Sequence, residues 1–158
     1  MQDAPVATSQ SRLETLYREH SRRLLGAVLA FAGDREVAMD AVSEAFAQAL
    51  RRGDAIRSPL PWVWRAAFRI AAGMLKSRGL EEGSVPETSY EMPERAWELL
   101  SALRRLPAKQ RASVVLHYYG DYPVKEVAAI TGSTSPAVRM HLSRGRQRLR
   151  QSLEVSGD

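Results

Sequence analysis

The stretch GLEEGSVPETSYEMPE, from Gly79 to Glu94, limits what this chain can fold into. It is rich in glycine, proline, serine and glutamate and has no sustained apolar period, which is the composition of a linker. The pieces on either side are short enough that each would bury only a modest core. The predicted division is a disordered start at 1–10, a first domain at 11–78, the acidic linker at 79–93, a second domain at 94–153 and a tail at 154–158.

Both pieces show apolar residues at helical spacing, and no stretch alternates for long enough to predict a sheet. In the first piece, the pair Gly33 and Asp34 ends one helix and caps the next. A third helix is predicted from about Pro61 to Arg78. The residues on the apolar face of the second helix are Val37, Ala38, Ala41, Val42, Ala45, Phe46 and Ala49. The predicted fold class is all-α, with two small helical domains joined by an acidic flexible linker.

The second piece contains two helical stretches around a break, in VKEVAAITGSTSPAVRMHLSRGRQRLR at 124–150. Pro123 starts the short first helix, Gly132 breaks it, and Thr134 or Ser135 can cap the longer second helix. The inward stripe of that second helix is Val138, Leu142, Gly145 and Leu149. A short helix, a tight turn and a second helix with a basic face form a helix-turn-helix, whose second helix enters the major groove of DNA.

The exposed face of this last helix is predicted to be basic. Between residues 101 and 150, ten basic residues stand against only Asp121 and Glu126. Arginine can pair bidentately with guanine, while serine and backbone amides at the helix start can reach phosphates. The outward residues are Ser135, Arg139, Met140, Ser143, Arg144, Arg146 and Arg150, with His141 and Arg148 on the flank. DNA binding is therefore predicted, with a solvated face or RNA binding by charge alone as the alternatives.

The composition argues against catalysis, metal binding and membrane insertion. There is no cysteine, and the three histidines lack metal-ligand spacing, so neither a catalytic residue nor a metal or other cofactor is predicted. No nucleophile and base pair or phosphate loop can be assembled either, so the protein is not expected to be an enzyme. The longest apolar run, at 24–33, is about half of the ~20 residues needed to cross a bilayer. We expect a cytoplasmic protein, and its net charge of +5 suggests a polyanionic partner.

The motifs LYREH, GDREVAMDAVSEAF, PWVWRAAFRIA and LPAKQRASVVLHYYGDYPVKEVAAITGSTSPAVRMHLSRGRQRLR, in this order, resemble bacterial sigma factors of the extracytoplasmic function group. The resemblance covers residues 13–153. It implies a region two that holds the minus-ten promoter element and a region four that recognises the minus-thirty-five element. The implied partners are core RNA polymerase, promoter DNA and an anti-sigma factor that holds the protein inactive. The linker would thread through basic polymerase channels, although a simple flexible tether remains an alternative.

Matching positions imply three groups of functional residues. Asp40 and Glu44 match the acidic pair of the polymerase-binding helix, and the loop at 51–61 matches one that captures a flipped base of the minus-ten strand. The set for the minus-ten element is Arg51, Arg52, Arg57, Trp64 and Arg69. The set for the minus-thirty-five element is Ser135, Arg139, His141, Arg144, Arg146 and Arg148, of which the last two are expected to lie along phosphates.

The sequence departs from the family pattern in the helix assigned to the minus-ten element. The family commonly has asparagine where Arg69 stands and aspartate where Gly73 stands. Arg69 would favour phosphates or a different base, which implies an unusual promoter or weak melting. Trp62 matches a core position of the family and is expected to be buried. The alternative functions are a sigma-like decoy that engages a regulatory protein and a stand-alone helix-turn-helix regulator, which usually requires a dimer.

Overall fold

The computed structural model describes residues 8–79 and 94–156, and the regular structure within these ranges is entirely helical. The predicted all-α class is therefore confirmed. The predicted linker lies almost wholly outside the described residues, as do the first seven residues of the predicted start. The described α-helices are α1 (Ser9–Ala32), α2 (Arg35–Arg52), α3 (Pro59–Ser77), α4 (Glu94–Arg104), α5 (Ala108–Val114), α6 (Val124–Thr131) and α7 (Ser135–Ser156).

The turn between α1 and α2 forms as the sequence predicts. Gly33 adopts a left-handed conformation with a φ of 69°, and its N–H donates to the Leu29 carbonyl at 2.8 Å. The Asp34 carboxylate then accepts a hydrogen bond of 2.9 Å from the Val37 N–H, which caps α2. These contacts satisfy backbone groups that a helix end leaves without partners.

Three helix ends differ from the predicted boundaries. Helix α1 begins at Ser9, because the Thr8 hydroxyl accepts a hydrogen bond of 3.1 Å from the Ser11 N–H and caps the helix. Helix α3 begins at Pro59 instead of about Pro61, since proline is tolerated in a first helical turn. Helix α7 continues to Ser156, beyond the predicted boundary at 153.

Helices α1 to α3 form the first helical group, with the apolar face of α2 at its centre. Six of the seven residues predicted for that face are buried. Phe46 is half-buried, and its ring meets the exposed Tyr17 ring edge-on with 5.0 Å between centroids. The period-3.6 pattern thus identified the packing face of α2 correctly.

Helices α4 to α7 form the second helical group, which packs against the first to give one continuous hydrophobic core. Arg104 and Arg111, each 2% exposed, donate hydrogen bonds of 2.8 and 2.6 Å to the Phe31 carbonyl at the end of α1. Arg111 also donates to the Leu106 carbonyl at 2.9 Å. Because terminal carbonyls of a helix lack helical partners and favour cations, these two arginines complete the end of α1.

Candidate nucleic-acid interface

The turn between α6 and α7 has the geometry of a helix-turn-helix. Gly132 ends α6 in a left-handed conformation with a φ of 67°, and its N–H donates to the Ala128 carbonyl. Of the two caps considered from the sequence, Thr134 is the one used, because its hydroxyl accepts from the Ala137 N–H at 3.2 Å. This arrangement leaves Pro136 in the first turn of α7, where no helical hydrogen bond is lost.

The inward stripe of α7 packs as predicted. Val138, Leu142 and Gly145 are buried, and Leu149 is half-buried against the core. A Cβ on Gly145 would lie only 2.9 Å from Cγ2 of Val114 in α5. Glycine at this position therefore allows α7 to approach α5 closely, which fixes the direction in which the outer face of α7 points.

The outer face of α7 is a basic surface, and the helix carries no acidic residue before Glu154. Its exposed arginines are Arg139, Arg144, Arg146, Arg148 and Arg150, which we call the α7 arginines. Within residues 8–79 and 94–156, none of them forms an ion pair shorter than 4.0 Å. Arg146 instead donates from Nη1 to the Tyr118 hydroxyl at 2.7 Å. These guanidinium groups can accordingly approach phosphates or base edges without first breaking an ion pair.

His141 and Ser135 lie at the margin of this surface and are both half-buried. The Nδ1 atom of His141 is buried without a hydrogen-bond partner in the described part of the chain. Burial, followed by the charges of Lys109 and Arg144, lowers the pKa of His141 below its usual value. The ring is therefore neutral at neutral pH, so it could meet DNA as a hydrogen-bonding group but not as a cation.

A second basic site surrounds a cleft of about 280 Å³ between the end of α2 and the start of α3. The Arg52 guanidinium lies over the Trp62 ring, 5.4 Å from its centroid. The other lining residues are Ala55, Ile56, Arg57, Ser58, Pro61 and Arg65. An aromatic ring surrounded by guanidinium groups offers both stacking and charge to an unpaired nucleotide.

The two tryptophans of this segment differ from the expectation drawn from the sequence, Trp64 more than Trp62. Trp64, assigned to the minus-ten element, is only 3% exposed and packs against Phe68 and Tyr122, with ring centroids at 6.2 and 5.2 Å. A ring buried on these sides cannot stack on a base in this arrangement of the chain. Trp62, expected to be buried, is half-buried: it packs against the core and also lines the cleft. The spacing of Trp62 and Arg65, one helical turn apart, was the overlooked signal for the site.

The remaining assigned residues lie elsewhere on the first helical group. Glu44 accepts hydrogen bonds from Gln48 at 3.2 Å and from Arg51 at 2.9 Å, and these contacts lower the pKa of its carboxyl group. Asp40 is paired with Arg78 at 3.2 Å. The acidic pair and Arg51 thus have partners within the chain.

Arg57 is exposed beside the cleft, whereas Arg69 is exposed on α3 at a different, mostly apolar cleft. That second cleft lies between the two helical groups and also involves Phe31, Phe68 and Ile130. The structure therefore brings Arg52 and Arg57 together but separates them from Arg69.

The described residues contain no group of three or more histidine and carboxylate side chains arranged to hold a metal ion. None of the described helices is both long enough and apolar enough to span a bilayer.

Comparisons with known proteins agree on one family. A family model for sigma-70 region 4 matches residues 96–149. The RNA polymerase sigma factor SigV of Bacillus subtilis is 23% identical over 155 residues, covering 92% of this chain and 93% of that protein. The ECF RNA polymerase sigma factor SigM of Mycobacterium tuberculosis is 26% identical over 159 residues, covering 95% and 81% respectively.

A solved structure shares the fold. The sigma factor RpoE, in a co-crystal structure with the anti-sigma factor NepR from Bartonella quintana, matches with a TM-score of 0.73 and 20% identity. The match covers 90% of this chain and 98% of that one, so it extends over both helical groups.

Proposed function

We propose, from the premise that this chain belongs to the extracytoplasmic function group of bacterial RNA polymerase sigma factors, that it binds core RNA polymerase and directs it to particular promoters. Sigma factors act in transcription initiation and are not enzymes themselves. The observation that carries the proposal is the exposed row of α7 arginines on a helix-turn-helix. All of them except Arg150 lie within the part of the chain that matches region 4.

The minus-thirty-five element is the proposed target of α7. Arg139 and Arg144, in the first half of the helix, are assigned to base edges in the major groove. Arg146 and Arg148 are assigned to phosphates, and the Tyr118 contact supports this role for Arg146 by holding its guanidinium in one direction. Replacing a base-contacting arginine should cost about 1 to 3 kcal/mol and relax specificity, whereas losing a phosphate contact should weaken binding to all sequences.

The minus-ten element is the proposed ligand of the Trp62 cleft. Its volume and its combination of an indole ring with Arg52, Arg57 and Arg65 suit a base that has left the stack. The backbone of the melted strand would then continue along the exposed guanidinium groups. Trp62 takes the stacking role that the sequence had assigned to Trp64.

Core RNA polymerase is the proposed partner of the outer face of α2. Asp40 and Glu44 lie on this face, and Met39 and Leu50 expose 46% and 53% of their surface on the same helix. Carboxylates flanked by exposed apolar side chains suit a partner surface with basic groups around an apolar centre. Because each carboxylate has two oxygen atoms, it can accept from basic groups of the polymerase while its contact with Arg51 or Arg78 remains.

An anti-sigma factor is the remaining proposed partner. The RpoE structure contains one, and this chain shares that fold over most of its length. The described residues leave Tyr118 and Tyr119 half-exposed beside the interface of the two helical groups, where an inhibitor could contact both.

Run-off transcription with purified bacterial core polymerase tests the proposal. Genomic promoter fragments are transcribed with and without the chain, and the transcript starts are sequenced. We expect defined starts that share upstream elements at fixed spacing. The double variant Arg139→Gln/Arg144→Gln should lose this promoter selection, whereas Arg18→Gln, which removes one exposed arginine from α1, should not.

Three other results would contradict the proposal. Stable binding to core polymerase without transcription would indicate a sigma-like decoy that engages a regulatory protein. Tight operator binding without polymerase would indicate a stand-alone regulator. Absence of binding to core polymerase would remove the basis for a sigma function.

A further inference from the structure

We propose that Met140 of α7 selects thymine in the promoter element that this helix contacts, by packing its side chain against the methyl group of the base. The inference rests on the proposed function, because it requires the outer face of α7 to lie in the major groove of DNA. It adds an apolar contact to the base contacts assigned to Arg139 and Arg144. The position of Met140 on the helix, its exposure and its neighbours carry the inference.

Met140 lies on the side of α7 that is opposite the core. Successive residues of an α-helix are about 100° apart around the helix axis. Val138 and Leu142, each two residues from Met140, are buried with exposures of 0% and 3%. Met140 is therefore at the middle of the outer face. It also belongs to the second turn of α7, and residues near the start of a recognition helix are the ones that contact base edges.

Met140 is also exposed in a face that is otherwise polar. Within 135–151, all of which the structure describes, it is the one large apolar side chain that is exposed, at 42%. The other exposed residues of this stretch are Pro136, Arg139, Ser143, Arg144, Arg146, Gln147, Arg148, Arg150 and Gln151. A single exposed methionine elsewhere on the surface would need no functional explanation. Here, any duplex held by the surrounding arginines would also cover Met140.

The α7 arginines lie along the two edges of the outer face and not along its middle. The angular spacing of the helix places Arg139, Arg146 and Arg150 on one edge and Arg144 and Arg148 on the other. The central strip between these edges is uncharged and consists of Pro136, Met140, Ser143 and Gln147. A helix with this pattern can hold a duplex from both edges while its uncharged middle faces the base pairs in the major groove.

Thymine is the base that suits an apolar side chain in this position. Among the four bases, only thymine presents a methyl group in the major groove. A thioether has no hydrogen-bond donor and is a weak acceptor, so Met140 has little to offer the polar atoms of the other bases. Burial of one methyl group should improve affinity by about three- to fourfold. We therefore expect a T·A base pair opposite Met140.

Selection of bound duplexes identifies the element without assuming a promoter sequence. Random double-stranded DNA is incubated with the full-length chain, with and without bacterial core polymerase, and the bound duplexes are amplified and sequenced. The enriched element should contain a T·A pair that Met140→Ala no longer enriches. Affinities for synthetic duplexes that carry the element are then measured by filter binding.

Uracil in place of thymine tests the contact directly, because it removes the methyl group and keeps the hydrogen-bonding atoms of the base. Each thymine of the element is replaced in turn. For the parent, uracil at one position should weaken binding by about three- to fourfold. Met140→Ala should bind the thymine and uracil duplexes equally, which would identify Met140 as the residue that contacts the methyl group.

Matched variants separate this contact from a general effect on α7. Met140→Leu keeps an apolar side chain and should retain part of the thymine preference. Leu153→Ala shortens another exposed apolar side chain of the same helix, outside the central strip, and should retain all of the preference. Arg139→Gln should weaken binding to the thymine and uracil duplexes by the same factor, because it removes polar contacts that do not involve the methyl group.

Each result decides the inference. Loss of the thymine preference in Met140→Ala, with the preference retained in Leu153→Ala, supports it. An equal preference in the parent and in Met140→Ala would overturn it, as would a parent that does not distinguish thymine from uracil at any position. Enrichment of no sequence would remove the proposed function and this contact together. If the chain selects a thymine through Met140 but does not bind core polymerase, the contact stands and the proposed function fails.

Discussion

Replacing Gly145 by alanine should destabilise the chain, although alanine is the better helix former. Alanine favours a helix interior by about 0.8 to 1 kcal/mol over glycine. Its Cβ, however, would lie 2.9 Å from Val114 Cγ2, and carbon atoms prefer a separation of about 3.5 to 4.0 Å. Overpacking of this kind costs typically about 1 to 3 kcal/mol. We expect the clash to outweigh the helix preference, with a net loss of about 1 kcal/mol in the free energy of unfolding.

Urea denaturation measures this difference against a matched control. Gly73 is also within a helix but has nothing within 4 Å of a Cβ, so Gly73→Ala should gain about 0.8 to 1 kcal/mol. Combining Gly145→Ala with Val114→Ala removes the clashing methyl group, and the double variant should lose less stability than the two single losses added together. If Gly145→Ala stabilises the chain as much as Gly73→Ala does, the close contact of α7 with α5 is refuted.

Two further predictions concern the basic surface of α7. Burial and the charges of Lys109 and Arg144 lower the pKa of His141, so folding favours the neutral ring. The folded state gains stability from this preference above about pH 6.5, and that stability is lost as the pH falls. Urea unfolding at about pH 7.5 and 5.5 measures how far the free energy of unfolding falls between these two pH values. The fall should be smaller for His141→Gln than for the parent, and an equal fall in both proteins would contradict the prediction. Tyr118→Phe removes the acceptor of Arg146 and should weaken holoenzyme binding to every promoter by about two- to fivefold in a filter-binding assay. Arg146→Gln should then reduce promoter affinity less in Tyr118→Phe than in the parent. An equal reduction in both proteins would show that Tyr118 does not position Arg146.

Features that depend on neighbouring residues were predicted well from the sequence. The Gly33 and Asp34 turn, the apolar face of α2 and the inward stripe of α7 follow from capping chemistry and helical periodicity, which involve residues a few positions apart. Most of the exposed set of α7 follows from the same stripe, because the residues that do not pack must face away from α5. Ser135 and His141 are exceptions, since both are half-buried.

Features that depend on distant residues were not predictable in the same way. Arg104 and Arg111 resemble solvated positions of amphipathic helices, and their acceptor, the Phe31 carbonyl, is 73 and 80 residues away in the chain. Trp62 and Trp64 are only two residues apart, and the depth of Trp64 depends partly on Tyr122 of the other helical group. Periodicity identifies a packing face but not the element that covers it.

The arginines of this chain show why net charge alone does not locate a nucleic-acid surface. Arg104 and Arg111 donate hydrogen bonds to the Phe31 carbonyl, while Arg51 and Arg78 are paired with carboxylates. A guanidinium that already has an acceptor in the chain must break that contact before it can neutralise a phosphate. The α7 arginines and those of the Trp62 cleft form no ion pair with a carboxylate within 4.0 Å in the described residues, so they should set the number of counterions released on binding. The salt dependence of promoter binding should consequently fall when an α7 arginine is replaced and remain unchanged when Arg78 is replaced.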